Sequence, residues 1–165
     1  MDGVECMVYR VFNDNVVYVR GFYRVDSIDA DTLFVDGFIE VRRRISVDKL
    51  FVIGGVKARS MQANKVLIIL KTNSTVLDIE ADRLRVVRRG YGRLCIDRLY
   101  CRECYLTWTL VHRLCCKKLV VRENVVVENI VCNGEELVVR SPYIVFRDNA
   151  SSYYKRIHFL YNTYR

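Results

Sequence analysis

Proline is almost missing: Pro142 stands alone in 165 residues, beside only eight glycines and two histidines. Collagen-like and low-complexity chains need Gly and Pro in quantity, so both are excluded. The shortage of histidine leaves His112 and His158 as the only imidazole bases. Ser60 and Ser141 lie in no nucleophile-elbow or triad context. Gly54-Gly55 and Gly90-Tyr91-Gly92 lack the Lys-Ser/Thr that completes a phosphate-cradling loop. The acids Asp26, Asp29, Asp31, Asp36 and Glu40 do not have calcium-loop spacing. These gaps point away from an enzyme and from a bound cofactor.

Other absences bear on location. Met1 to Cys6 carries no basic segment followed by an apolar run, so no signal peptide is expected. The longest apolar run, Val66 to Leu70, falls far short of the roughly 20 residues of a membrane helix. No C-terminal lipidation box occurs. The expectation is an intracellular protein, cytoplasmic or nuclear, without a membrane partner. Seven cysteines is an odd number, which fits free thiols in a reducing compartment. The sequons at Asn73 and Asn149 then read as chance matches.

Val, Ile, Tyr and Phe are abundant, and these residues fit a pleated, half-buried surface. Short apolar or alternating runs are broken by turn residues, as at Asn13-Asp14-Asn15, Asp36-Gly37, Thr72-Asn73-Ser74 and Asn133-Gly134. Asp-Gly between two runs is a hairpin signal. Tyr105 to Leu114 alternates, with Leu106, Trp108, Leu110, His112 and Leu114 on one expected face. Val56 to Lys65 is the best helical candidate. No internal repeat is evident. The expected fold is one all-β domain over residues 1–165, an antiparallel β-sandwich or barrel of roughly ten to twelve short strands with at most one short helix. A boundary near residue 82 is the alternative, from the charge shift alone.

The charge is unevenly spread. Residues 1–82 are net −1, residues 83–122 net +9, and residues 123–165 net 0. The middle segment interleaves Arg with Tyr91, Tyr100, Tyr105 and Trp108. Cations neutralise phosphates and aromatic faces stack on unpaired bases, so this composition suits nucleic acid or another polyanion. Arg88, Arg89, Arg93, Lys117 and Lys118 are the expected phosphate contacts, with Tyr91 or Tyr100 stacking. The alternative is a structural or protein–protein interaction module, with partners or further copies held through open strand edges. The Pro-poor, Val-, Arg- and Tyr-rich style is similar to that of small proteins of large DNA viruses.

Six of the seven cysteines follow residue 94. Cys101-x2-Cys104 and His112-x2-Cys115 have a zinc-like ligand chemistry, with Cys95 or Cys116 as substitutes. A straight strand from Tyr105 to Leu114 would hold the two ligand pairs about 33 Å apart, so no metal is expected and the thiols read as small apolar core residues.

Overall fold

A computed structural model describes residues 7–11 and 15–161. It contains β1 (Met7–Val11), β2 (Val16–Leu70), β3 (Ser74–Arg88), β4 (Leu94–Leu106), β5 (Thr109–Val121), β6 (Val125–Ile130), β7 (Gly134–Val139), β8 (Ile144–Phe146), a 3-10 turn (Ala150–Ser152) and β9 (Tyr154–Phe159). From β2 onward every pairing between elements is parallel. The chain is a parallel β-solenoid, which overturns the expected antiparallel sandwich or barrel. Among the described strands only β1 runs antiparallel, against Val16–Arg20 at the N-terminal end.

The reason lies in a repeat of five residues. Burial in β4 falls on Leu94, Ile96, Leu99, Cys101, Cys104 and Leu106; in β5 it falls on Thr109, Val111, Leu114, Cys116, Leu119 and Val121. Two inward residues separated by one outward residue make a short flat strand. The next two residues then both face outward, and the chain bends. Three such units return the chain to its start, one strand spacing higher. Leu94 therefore stacks on Thr109, Leu99 on Leu114 and Cys104 on Leu119. The same arithmetic lets β2 run 55 residues as strand while winding round the axis. The repeat was present in the sequence all along, as a period of five rather than two.

Each turn of chain has three sides. The first carries inward pairs such as Ile39/Val41 and Leu94/Ile96, the second Ile45/Val47 and Leu99/Cys101, the third Leu33/Val35 and Cys104/Leu106. The interior is a column of Val, Ile and Leu with almost no exposure. Extra residues are accommodated chiefly at the corner from third side to first. Gly21, Gly37 and Gly54 occupy that corner with φ of 87°, 137° and 136°. Higher up, longer turns at 71–73 and 89–93 replace them, followed by Trp108 and Asn124 with φ of 49° and 48°. Buried hydroxyls serve the same corner: Val56 N donates to Ser74 Oγ at 3.0 Å, and Thr107 Oγ donates to the Val86 carbonyl at 3.1 Å.

Several local expectations fall with the sandwich. Asp36-Gly37 is a corner between parallel strands, not a hairpin, because the positive φ of Gly37 turns the chain only partway. Val56 to Lys65 is strand within β2, since Val56, Ala58, Met61 and Ala63 face inward at the five-residue spacing. Tyr105 to Leu114 is not straight: the chain turns at Thr107-Trp108, so Leu106 and Leu114 point inward while Leu110 and His112 point outward on another side. Asp82 lies inside β3. Asn13, Asp14 and Cys6 lie outside the described residues.

Candidate functional site

A side chain's neighbours in this fold lie one turn of chain away, 15 to 20 residues in sequence. Consecutive charges are therefore dealt out among three sides. Many cations of 83–122 meet carboxylates on adjacent strands: Arg98 Nη2 lies 2.7 Å from Asp78, Arg102 Nε 2.8 Å from Asp82, Arg83 3.4 Å from Glu103, and Arg113 3.3 Å from Asp97. Such exposed ladders add little stability each.

The expected phosphate contacts fall into separate groups. Arg88 and Arg89 end the third side, Tyr91 sits in the following corner at 95% exposure, and Arg93 leads into the first side. Lys117 and Lys118 flank the corner between second and third sides, and Tyr100 points out from the second. Arg88 is committed to packing: its guanidinium lies 3.4 Å over the Trp108 ring, and its Nε is buried without a hydrogen-bond partner.

The zinc-type set does not converge. Cys101 and Cys104 are inside the solenoid, whereas Cys115 is joined to Cys132 in a disulfide with Cα atoms 5.1 Å apart. That bond corrects the expectation that all cysteines are free thiols. His112 is outside, with Nδ1 2.5 Å from Glu128 Oε2. Among the described residues no group of three His, Cys, Asp or Glu side chains is placed to hold a metal ion. The ligand pairs are not held apart by a straight strand, because the chain bends between them at Thr107-Trp108.

The hydrogen bond from His112 holds Glu128 below the usual carboxylate range, with Arg147 adding to the effect. A depressed carboxylate pKa stabilises the fold above the carboxylate range and loses that effect as pH falls through the folded pKa. His112→Ala should raise the Glu128 midpoint, read by NMR titration of its side-chain carbonyl carbon. An unchanged midpoint would remove the pair as the cause.

Inside the C-terminal half, the thiols of Cys101, Cys104 and Cys116 meet one another. Burial pushes Cys104 well up, Cys101 pushes Cys116 up, and hydrogen bonds from Cys104 and Cys116 pull Cys101 down. The nearby Tyr154 hydroxyl is buried without a partner, and burial raises its pKa. Replacing Tyr154 by Phe removes this orphan and should stabilise the protein by about 1 kcal/mol, read by urea unfolding. A loss of more than about 1 kcal/mol would reveal a partner for the hydroxyl.

One side of the solenoid differs from the others. Along the centre of the third side run Tyr18, Phe34, Phe51, Leu67, Arg85, Tyr105, Val120 and Val138, each between two inward residues, and His158, between half-buried Ile157 and exposed Phe159. Ile53, Ile69 and Val87 widen the apolar band in its lower half, and Phe34 and Ile53 are each 40% exposed. Two shallow depressions lie on it. One, of about 420 Å³, is lined by Phe51, Leu67, Arg85, Tyr105 and Val120; the other, of about 220 Å³, by Tyr18, Phe34, Ile53 and Ile69.

Cations border this band. Lys49, Lys65, Arg83, Lys118 and Arg156, with Glu103 and Glu136, follow the margin shared with the second side. Arg20, Lys71, Arg88, Arg89, Arg122 and Arg140, with Asp36 and Glu123, follow the other. The second side is nearly balanced: Asp29, Asp31, Asp48, Asp78, Glu80, Asp82 and Glu135 stand against Arg44, Arg98, Arg102, Arg113, Lys117 and Lys155. Sequence reading located the charge excess but missed its side, because residues of one side are never neighbours along the chain.

Some aromatic rings of the solenoid surface are stacked along its axis. Phe34 and Phe51 lie 4.8 Å apart, nearly parallel, as do Phe22 and Phe38 at 5.8 Å on the first side. Arg85 covers Tyr105 at 5.2 Å. Tyr91, Tyr143 and Tyr100, by contrast, are exposed outside these stacks. Among the described residues no helix is long and apolar enough to cross a membrane. No protein-family model matches this chain, and neither a curated protein nor a solved structure does.

Proposed function

We propose that the chain is a non-enzymatic binding module that holds an elongated anionic partner across its third side. The observation that carries this reading is the apolar centre of that side between two cation-rich margins. An exposed apolar band of this extent marks an interaction surface, and one sign of charge along both margins steers a partner of the opposite sign. On the third side the stacked Phe34 and Phe51 and the covered Tyr105 favour protein over nucleic acid, because a ring covered on its face has less surface for a base.

The test is fluorescence-anisotropy titration with poly-L-glutamate and with oligothymidylate, each at two salt concentrations. Polyglutamate should bind, more weakly at higher salt, and the double change Lys65→Glu with Lys118→Glu should weaken it at least about tenfold. Absence of polyglutamate binding at low salt, or equal binding by the variant, would overturn the reading.

A nucleic-acid reading has its own observation: Arg89, Arg93 and exposed Tyr91 share the corner after β3, and neither Arg has a side-chain partner among the described residues. It requires oligothymidylate to bind more tightly than polyglutamate, and Arg89→Ala with Arg93→Ala to reduce the salt slope by about two.

A further inference from the structure

We infer that the occupant of the third side is an amphipathic helix of another protein, with an apolar stripe flanked by Asp or Glu, lying along the solenoid axis. This inference rests on the third side being the docking face. The centre column from Tyr18 to His158 makes eight strand-to-strand steps, about 38 Å at the usual strand spacing. Lys118 and Arg122, like Glu136 and Arg140, are four residues apart along their strands, about 13 Å, whereas Lys71 and Arg89 stand farther out, six residues from Lys65 and Arg83. A helix is 10–12 Å across with its side chains, and about 25 residues of it span 38 Å. The band thus has the footprint of one helix laid lengthwise.

The margins choose the charge of that helix. Among the described residues Lys49, Lys65 and Lys118 have no side-chain partner, and neither do Lys71 and Arg89 across the band. Acidic residues on both flanks of an apolar stripe would meet both rows. A second copy of this chain is disfavoured by the same feature, since two such faces would bring cation-rich margins together. Strand addition is disfavoured because the third side presents strand faces; the strand edges left open among the described residues lie at the two ends of the solenoid, on β1 and on β8 and β9.

The experiment uses the full chain and three probes: a labelled helical peptide of about 25 residues with a leucine stripe flanked by Glu, the same stripe flanked by Lys, and vesicles containing phosphatidylserine. The Glu-flanked peptide should bind at least about tenfold more tightly than polyglutamate of equal charge, the gain from burying its stripe. Phe51→Ser with Leu67→Ser should remove that gain and leave polyglutamate binding unchanged; circular dichroism verifies that the variant is folded, and Leu67→Gln replaces it otherwise. The Lys-flanked peptide should bind at least tenfold more weakly than the Glu-flanked one. If the Glu-flanked peptide binds no better than polyglutamate, the helix is overturned while the anionic-partner reading stands. If neither binds, both fall. Binding to the vesicles without binding to the peptide would make the face a lipid-surface site and overturn the inference.

Discussion

Gly54→Ala should destabilise the lower turns of the solenoid by on the order of 3 kcal/mol. Gly54 has φ of 136°, a conformation that L side chains rarely adopt. A Cβ there would also lie 1.8 Å from the Gly37 carbonyl oxygen, and that backbone is itself held by a close approach to Gly21. Neither chain can yield without breaking the strand register on both sides. In a stacked fold the damage should stay local, since each turn contacts only its neighbours. Hydrogen exchange should therefore lose protection around Val35 to Val56 before Val111 to Val127. The outward Ser46→Ala should change stability by less than about 0.5 kcal/mol. Comparable stability in Gly54→Ala and the parent would refute the corner geometry.

Reduction of Cys115–Cys132 should cost about 3 kcal/mol, the loop-closure effect for a separation near 15 residues. The actual separation is 17. The bond ties the second side of β5 to the segment after β6, so its loss should loosen β6 to β9 and leave β2 and β3 intact. Thermal unfolding with and without dithiothreitol reads the effect. Cys115→Ser with Cys132→Ser should match the reduced parent and ignore the reductant. A parent whose mass does not rise by two hydrogens on reduction does not contain the bond.

Much of the strand content was legible in the sequence, and the architecture was not. Val, Ile and Tyr fit strands whatever the direction of pairing. Alternation over three residues, as in Leu84-Arg85-Val86, is common to both directions. What separates a solenoid from a sandwich is the pair of outward residues after each such triplet: Asp97-Arg98, Arg102-Glu103, His112-Arg113, Lys117-Lys118. Read as period two, these pairs look like ordinary charged breaks between strands. Read as period five, they are corners. The corner chemistry added to the ambiguity. Asp36-Gly37 supplies the positive φ that a hairpin also needs, and Trp108 adopts positive φ with nothing in its type to announce it.

The binding face was half legible for a related reason. A charge excess in 83–122 is real, yet that segment winds through all three sides. Arg98, Arg102 and Arg113 go to ion pairs on strands above or below, whereas Lys49 and Lys65, outside the segment, join Lys118 on the third side. The hydrophobic column Phe34, Phe51, Leu67 was hidden at spacings of 17 and 16, invisible until the register was known.

The third side exists as one continuous face only if its residues are stacked along a line. Spin labels on cysteines introduced at Phe34, Tyr105 and Val138, in a background with the native free thiols removed, test that claim by double electron–electron resonance. Phe34 to Tyr105 spans four strand steps, about 19 Å, and Phe34 to Val138 six, about 29 Å, before label length is added. The expected result is distances that grow in proportion to the number of steps. Phe34 as close to Val138 as to Tyr105 would mean the chain folds back on itself, and would contradict the solenoid and its binding face together.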